Sequence, residues 1–398
     1  MPNTILTPTA VTREALRILH QKLNFVGNVN RSYDDSFAKT GAKIGDSLKI
    51  RLPNEYTVRT GATLSAQDTA ESSVTLQVAT QKGVDLNFTS VDLTLSLDDF
   101  SKRILDPAMS VLAANIEADA LSMMLDVYNN VNGIGSAITF KNLMTSRKVL
   151  NDNLAPLDSN RSVLLNTNDN VDLVDTLKGL FQDSTAIKEQ YKEGSMGRTG
   201  GFDFYENTLI QNQQTGTAAA ATGYTVNGAV TTNGSSSVVL ATGSTTFKKG
   251  DIITFSGCNR VHPETKADTG TLQQFVVTAD YSGGAGTISV APAIYTSTGR
   301  QNVLATGIGN GATVAKIGAA STVYKPSLAF HKDAFAFATA DLVMPNGVDF
   351  ASRQVMDGIS MRVVRQYDIN NDKFPCRLDV LYGYKTIRPQ LACRILSN

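Results

Sequence analysis

The segment Asp106–Val127, DPAMSVLAANIEADALSMMLDV, decides how the rest of this chain is read. Asp106 suits an N-cap and Pro107 suits the first helical position. From there Met109, Leu112, Ile116, Ala120, Met123 and Val127 recur at steps of three or four, one stripe of a helix. Asn115, Asp119, Ser122, Asp126 and Asn129 take the opposite face. Continued to Val131, about 25 residues would span roughly 37 Å. A helix that long with a single apolar side reads as a spine lying on other elements.

N-terminal to it, residues 1–40 read as an arm around one short helix from Thr12 to about Leu23. Leu16, Leu19 and Leu23 share a stripe, with Arg13, Arg17 and Lys22 elsewhere, and the tail through Asp34 and Asp35 is polar and aperiodic. Such an arm buries little by itself and is expected to lie on something else. Residues 46–82 alternate as two strands, Leu48-Ile50-Leu52 and Val74-Leu76-Val78, joined by a polar excursion rich in Ser, Thr, Ala, Asp and Glu. A long hairpin without a helix to cover it is expected to project and to contact another chain.

C-terminal to the helix, residues 139–215 have α/β character. Helices are expected at Phe140–Asn151 and Asp169–Phe181, and strands at Ser162–Leu165 and Phe202–Tyr205. Near Thr215 the composition changes: 16 of the 31 glycines fall between there and Gly318, with only Asp251, Glu264, Asp268 and Asp280 as acids. Strand signals at Val238–Leu240, Asp251–Phe255, Phe275–Thr278 and Thr287–Val290, separated by Gly-rich turns, read as an inserted all-β, barrel-like domain. Beyond it, Leu328-Phe330 and Phe335-Phe337 are expected to flank a hairpin turn. Strands at Met361–Tyr367, Arg377–Leu381 and Ala392–Leu396 follow. The fold class is α+β.

The bulk numbers exclude more than they name. With 42% apolar residues and 18% charged, the 398-residue chain is not a disordered one. Lys+Arg and Asp+Glu are both 36, so there is no basic excess for a general nucleic-acid binder. No run approaches 18 consecutive apolar residues, so no membrane span and no membrane partner are expected. Met1-Pro2-Asn3-Thr4 does not open a signal peptide, and a chain starting at Met1 is expected not to be trimmed. Cys258, Cys376 and Cys393 are too scattered for a disulfide framework or a metal site, and read as reduced residues of a chain made in a cytoplasm.

Nucleophile-elbow, P-loop, HExxH and EF-hand patterns are absent. The loop Gly194–Gly201 lacks the Lys-Ser/Thr of a P-loop and leads into a strand, so it reads as a flexible surface loop. His331 with Lys332 and Asp333, and His262 with Pro263 and Glu264, read as turns; Cys376 reads as a small buried hydrophobe. No catalytic, cofactor-binding or metal-ligating residue is assigned, no cofactor is expected, and the chain is not expected to be an enzyme.

The order of elements (arm, projecting hairpin, spine helix, α/β region, inserted β-domain, terminal strands) resembles the major capsid proteins of tailed bacteriophages with the Hong Kong 97 (HK97) fold. Phe247–Gly257, Gly201–Tyr205, Leu328–Phe335, Arg377–Gly383 and Arg388-Pro389 are similar to the Salmonella-podophage coat type, whose extra domain interrupts the apical domain. The resemblance implies an N-terminal arm at 1–45 and an extended loop at 46–82. It implies a peripheral domain at 83–138 and 359–398, an apical domain at 139–219 and 320–358, and the insertion at 220–319. It further implies a coat protein, made in the bacterial host cytoplasm and ending in the virion, that self-assembles as hexamers and pentamers into an icosahedral shell. That shell would enclose double-stranded DNA non-specifically, with a separate scaffolding protein and a portal protein as partners. Arg51, Glu55, Arg59, Asp68 and Glu71 on the hairpin are the expected intersubunit contacts. Two features depart from that type: Thr225–Ser237 holds no charge for salt bridges between capsomers, and the arm helix offers only Glu14 to a basic scaffold. The rival reading is a β-rich virion tail or surface adhesin protein, suggested by the Gly/Thr-rich segment.

Overall fold

The long helix forms where its apolar spacing requires it, and ends sooner. In the computed structural model, which describes residues 8–33, 45–64, 66–68, 71–88, 104–177, 197–241, 243–356, 359–370 and 373–397, it runs from Asp106 to Leu121 and tightens into a 3-10 turn over Ser122–Asp126. All six stripe residues are buried, none more than 2% exposed. It does not continue to Val131 because Asn130–Asn132 is a strand, paired in parallel with Ala392–Leu396. Asp106 is not the N-cap: Leu105 holds that position in helical conformation, and the Asp106 carboxylate lies 3.1 Å from the Lys22 ammonium. By length and a mean hydropathy of 1.3, Asp106–Asp126 could cross a membrane, but its apolar stripe is already packed against the chain itself. The arm tail through Asp34 and Asp35, residues 89–103, the helix end beyond Leu177 and Gly194-Ser195-Met196 lie outside the described residues.

The chain divides into two units. The first comprises Met1–Ile50, Ser73–Ser122 and Phe335–Ile387. The arm helix, Pro8–Lys22, packs on the long helix and on the strand Phe350–Met356, and Leu16, Leu19 and Leu23 are buried there. The something else that the arm needed is its own chain. The short helix Phe25–Asn28 is anchored by Glu117, a buried carboxylate that accepts the backbone N–H groups of Phe25 and Val26. Nothing in the apolar pattern singled Glu117 out. The sheet of this unit runs Phe335–Ala340, Phe374–Thr386, Ile359–Arg365, Phe350–Met356, with Thr80–Phe88 also antiparallel to Phe374–Thr386. Asp46–Arg51 and Ser73–Val78 pair as the base of the expected hairpin.

The second unit comprises Arg51–Ser72, Met123–Ala334 and Arg388–Asn398. One six-stranded sheet runs Asn130–Asn132, Ala392–Leu396, Ser327–His331, Arg161–Leu165, Phe202–Glu206, Arg198–Thr199. Three of its four inner strands, at 392–396, 327–331 and 161–165, are buried at every residue, as strands covered on both faces are. The helices Phe140–Asp152 and Thr167–Leu177 belong to this unit; Thr139 caps the first by accepting the Asn142 N–H. A second six-stranded sheet runs Ser235–Leu240, Gly286–Ile294, Asp268–Val277, Ile252–Val261, Thr313–Lys316, Ala221–Thr225. Its first and last strands are joined by Asn227 N–H to Val239 O at 2.9 Å and Ala241 N–H to Thr225 O at 2.8 Å. Tyr224, Phe247, Phe255, Phe275 and Ile288 fill a core of its own. The short strands Ala221–Thr225 and Thr313–Lys316 escaped the sequence reading because each has only two inward residues.

Two sequence expectations fail on strand pairing. Leu328-Phe330 and Phe335-Phe337 are not a hairpin: the 3-10 turn Lys332–Ala334 carries the chain from one sheet into another. The structure also parts from the expected grouping of segments. Ala392–Leu396 pairs with Ser327–His331 and not with the 359–387 strands, while 335–356 pairs with those strands and not with 139–219. Alternation reports which residues face inward; it carries no information on which sheet receives them.

Glu117→Ala should destabilise the chain by roughly 2–5 kcal/mol, since it strands two buried N–H groups. Glu117→Gln keeps an acceptor and should lose clearly less; denaturant unfolding of both variants checks the difference. A fragment of residues 220–320 should give a cooperative thermal transition with β-type circular dichroism; a random-coil spectrum would remove its claim to an independent core.

Candidate functional site

Beyond Arg51 the two hairpin legs separate. Leu52 N–H to Ser72 O, 2.8 Å, is the backbone bond at the mouth, and Arg51 and Glu71 close it with an ion pair at 3.2 Å. Both side chains are more than half exposed, so that pair contributes less than about 1 kcal/mol. Further out Gln67 bridges the legs. Its Oε1 accepts the Thr57 N–H at 2.9 Å, and its Nε2 donates to the Thr57 carbonyl at 2.6 Å. Arg59 donates to the Gly61 carbonyl, and Gly61 has φ +99°, which only glycine adopts without strain. Of the five expected contact residues, then, Arg51 and Glu71 come together, Arg59 folds back on its own turn, and Glu55 and Asp68 stand exposed and apart.

The sequence reading weighted charge here and missed two things. The Gln67–Thr57 bridge had no signal, because one amide in a polar run looks like any other. The apolar residues Tyr56 (55% exposed), Val58 (94%) and Leu64 (82%) were visible in the sequence. They show that a tip read as polar carries unburied apolar surface.

The remaining polar groups are occupied in holding the fold. His331 is buried; its Nδ1 accepts the Asp333 N–H, which leaves Nε2–H to face Asp158 at 3.2 Å. His262 Nδ1 accepts the N–H groups of Glu264 and Thr265, a turn as expected. The three cysteines are free and buried, and burial pushes each thiol up to about 12, far from a reactive thiolate. A shallow groove of about 260 Å³ is lined by Gln81, Gly83, Asp85, Arg377 and Asp379, but Arg377 is spent on Asp85 (3.1 Å) and Asp379 (3.5 Å). Among the described residues no cluster of His, Cys, Asp or Glu could hold a metal ion.

Asp169 is the most buried acid with hydroxyl partners. It accepts from Ser327, from Ser397 at 2.5 Å and from Asn166 Nδ2 at 2.9 Å, while Asn166 Oδ1 caps the helix by accepting the Asp169 N–H at 2.7 Å. That Asn-x-x-Asp cap explains why the helix starts at Thr167 and not at Asp169. Burial raises the carboxyl above its ordinary value against those bonds. It joins helix to sheet and touches no cavity among the described residues.

The polar groups just described brace the fold, and the extension carries exposed, individually weak contacts, as a structural protein that acts by association would. A family model described as "P22 coat protein - gene protein 5" matches residues 11–395, and the chain belongs to that family. It is a bacteriophage major capsid protein, a structural component of the virion shell. Solved structures similar to this chain include one from Mycobacterium phage Che8 (14% identity, 94% of this chain and 90% of that chain, TM-score 0.48). Others are the capsid of Ralstonia phage GP4 (7% identity, 95% and 92%, TM-score 0.42) and the mature capsid of bacteriophage PhiM1 (10% identity, 88% and 82%, TM-score 0.42). No curated protein matches the sequence.

A raised folded-state pKa for Asp169 means its contribution to stability is complete below the unfolded carboxyl value and is lost as pH rises through the folded one. Asp169→Asn cannot titrate, so its stability should vary less than wild type between about pH 4 and 7. Urea unfolding at several pH values gives the two slopes; equal slopes would refute the raised value.

Proposed function

We propose that copies of this chain assemble as hexamers and pentamers into an icosahedral shell of the HK97 type around double-stranded DNA, with the extension at 46–82 as a principal intersubunit contact. The observation that carries this is the state of residues 51–72. Among the described residues the two legs are tied to each other by the Leu52–Ser72 backbone bond, Arg51–Glu71 and Thr57–Gln67, and Tyr56, Val58 and Leu64 are left open. Such a segment adds little to the fold, and its apolar side chains gain their burial from a neighbour. Repeated weak contacts become strong in a closed lattice because each new subunit engages several at once. Zero net charge supports the reading, since strong charge of one sign would oppose close packing of copies.

In this layout the first unit, with the arm and long helix, takes the peripheral role. Residues 123–219, 320–334 and 388–397 take the apical role, and the six-stranded sheet of residues 221–316 is the inserted barrel. DNA is enclosed without sequence recognition, and a portal occupies one vertex. A separate scaffolding protein guides closure. An acid on the arm is a poor site for it, because Glu14, the one acid of the arm helix, already pairs with Arg17 at 2.6 Å. The absence of charge from Thr225 to Ser237 likewise leaves contacts between capsomers to other chemistry.

Arg51→Ala with Arg59→Ala should lower shell yield severalfold while moving the monomer's stability by less than about 1 kcal/mol. Electron microscopy of assembly reactions and thermal unfolding of the monomer read the two effects; wild-type shell yield would refute the contact role. Expressed without a scaffolding partner, the chain should give aberrant, mixed or unassembled material. Uniform closed shells of one diameter would refute the need for a scaffold.

A further inference from the structure

The leg of the extension meets the inserted sheet at one glycine. A Cβ built on Gly299 would lie 2.1 Å from the Glu55 carbonyl oxygen and 2.9 Å from the Tyr56 nitrogen. Those distances leave no room for any side chain. Gly299 is not in the left-handed region, so nothing in its own backbone requires glycine. The requirement comes from the strand of chain laid across it.

The surroundings of Gly299 are built around that contact. Lys266 inserts a partly buried ammonium that donates to the carbonyls of Pro263, Gly299 and, at 3.4 Å, Gln301. Burial pulls this ammonium below its ordinary value, and the Glu55 carboxylate opposes the pull. Lys266 (φ +59°) and the β-branched Thr298 (φ +73°) both adopt left-handed backbone, and they are two of the four non-glycine residues that do so among those described. Strained backbone of this kind persists where neighbouring contacts over-determine it, and it gathers at sites with a task. Residues 53–60 nevertheless keep their side chains exposed. The backbone is seated and the side chains are left outward.

We propose that the turn 263–266 and the loop 297–301 form a seat that holds residues 52–56 before assembly, so that the inserted domain sets the place and direction in which the extension is offered to a neighbouring copy. The inference rests on the reading of the extension as a contact element, but its test does not require a shell. On this proposal the base of the projecting hairpin is held by Gly299 and Lys266, and ordering on contact with a neighbour is left to the tip.

The test uses the unassembled full-length chain. Gly299→Ala should speed tryptic cleavage after Arg59 about tenfold, because local opening controls access to that bond. Gly309→Ala, whose added methyl meets nothing within 4 Å, is the control and should cleave at the wild-type rate. Equal cleavage of all three proteins would overturn the proposal. Should Gly299→Ala fail to fold, hydrogen exchange on the wild-type chain decides. Amides 54–56 exchanging more slowly than 61–64 support the seat, and exchange of 54–56 at the rate of an unstructured peptide overturns it. If protection is present while shells form normally with Arg51 and Arg59 replaced, the seat stands and the contact reading fails.

Discussion

Arg394 carries a guanidinium into the interior with no exposed surface, and the second unit is arranged around keeping it solvated by protein. Its Nη1 donates to Gln213 Oε1 at 2.9 Å and its Nη2 to the Gly250 carbonyl at 2.8 Å. Asp251 and Tyr324 supply compensating field. Asp251 in turn accepts from Gly216 N–H and Lys248 N–H, and the buried Lys316 ammonium donates to the carbonyls of Gly216 and Ala319. Removing a partner from such a group costs about 3–5 kcal/mol, whereas the intact arrangement need not be a net gain. The network therefore matters for uniqueness. It fixes both ends of the inserted segment, near Gly216 and Lys316, and ties them to the strand Ala392–Leu396.

That strand also explains where the long helix stops. Arg394 N–H donates to the Asn129 carbonyl at 2.9 Å, and Asn129 Nδ2 donates to the Ala392 carbonyl at 3.0 Å. Continuing the helix would withdraw these groups into its own ladder and leave the edge of Ala392–Leu396 bare. The residues that would continue the helix, Asn129-Asn130-Val131-Asn132-Gly133, are poor helix formers, so local propensity and tertiary pairing agree on the stop.

What could be read from residues alone followed the reach of each physical signal. Periodicity is local, so the apolar stripe of the long helix, the Leu16-Leu19-Leu23 face and the glycine-rich β segment were all legible, as was the class of protein through the order of these parts. Sheet membership depends on partners far away in sequence, so the terminal strands were recognised as strands, while Ala392–Leu396 and the strands within 335–356 pair outside the expected grouping. Buried charge has no periodicity at all: nothing in the sequence marks Glu117, Asp169 or Arg394 as buried until their partners are placed. On the extension the sequence directs attention to charge, because charged residues stand out in a polar run. The features that shape the extension, Gln67, Gly299 and Lys266, are an amide, a glycine among 31 and a lysine like any other.

The contrast between body and extension is what a shell subunit requires. Quasi-equivalent neighbours present slightly different geometries to the same chain, so a contact element made as rigid as the buried network would fit one neighbour and strain the next. Arg51–Glu71 and Thr57–Gln67 are exposed and individually weak, so the tip can adjust at little cost. A tip free at its base as well would lose ordering entropy at every contact. If the extension is the contact element proposed, holding its base at Gly299 while leaving Tyr56, Val58 and Leu64 outward would divide the problem: direction would be set within the subunit, and fit at the interface.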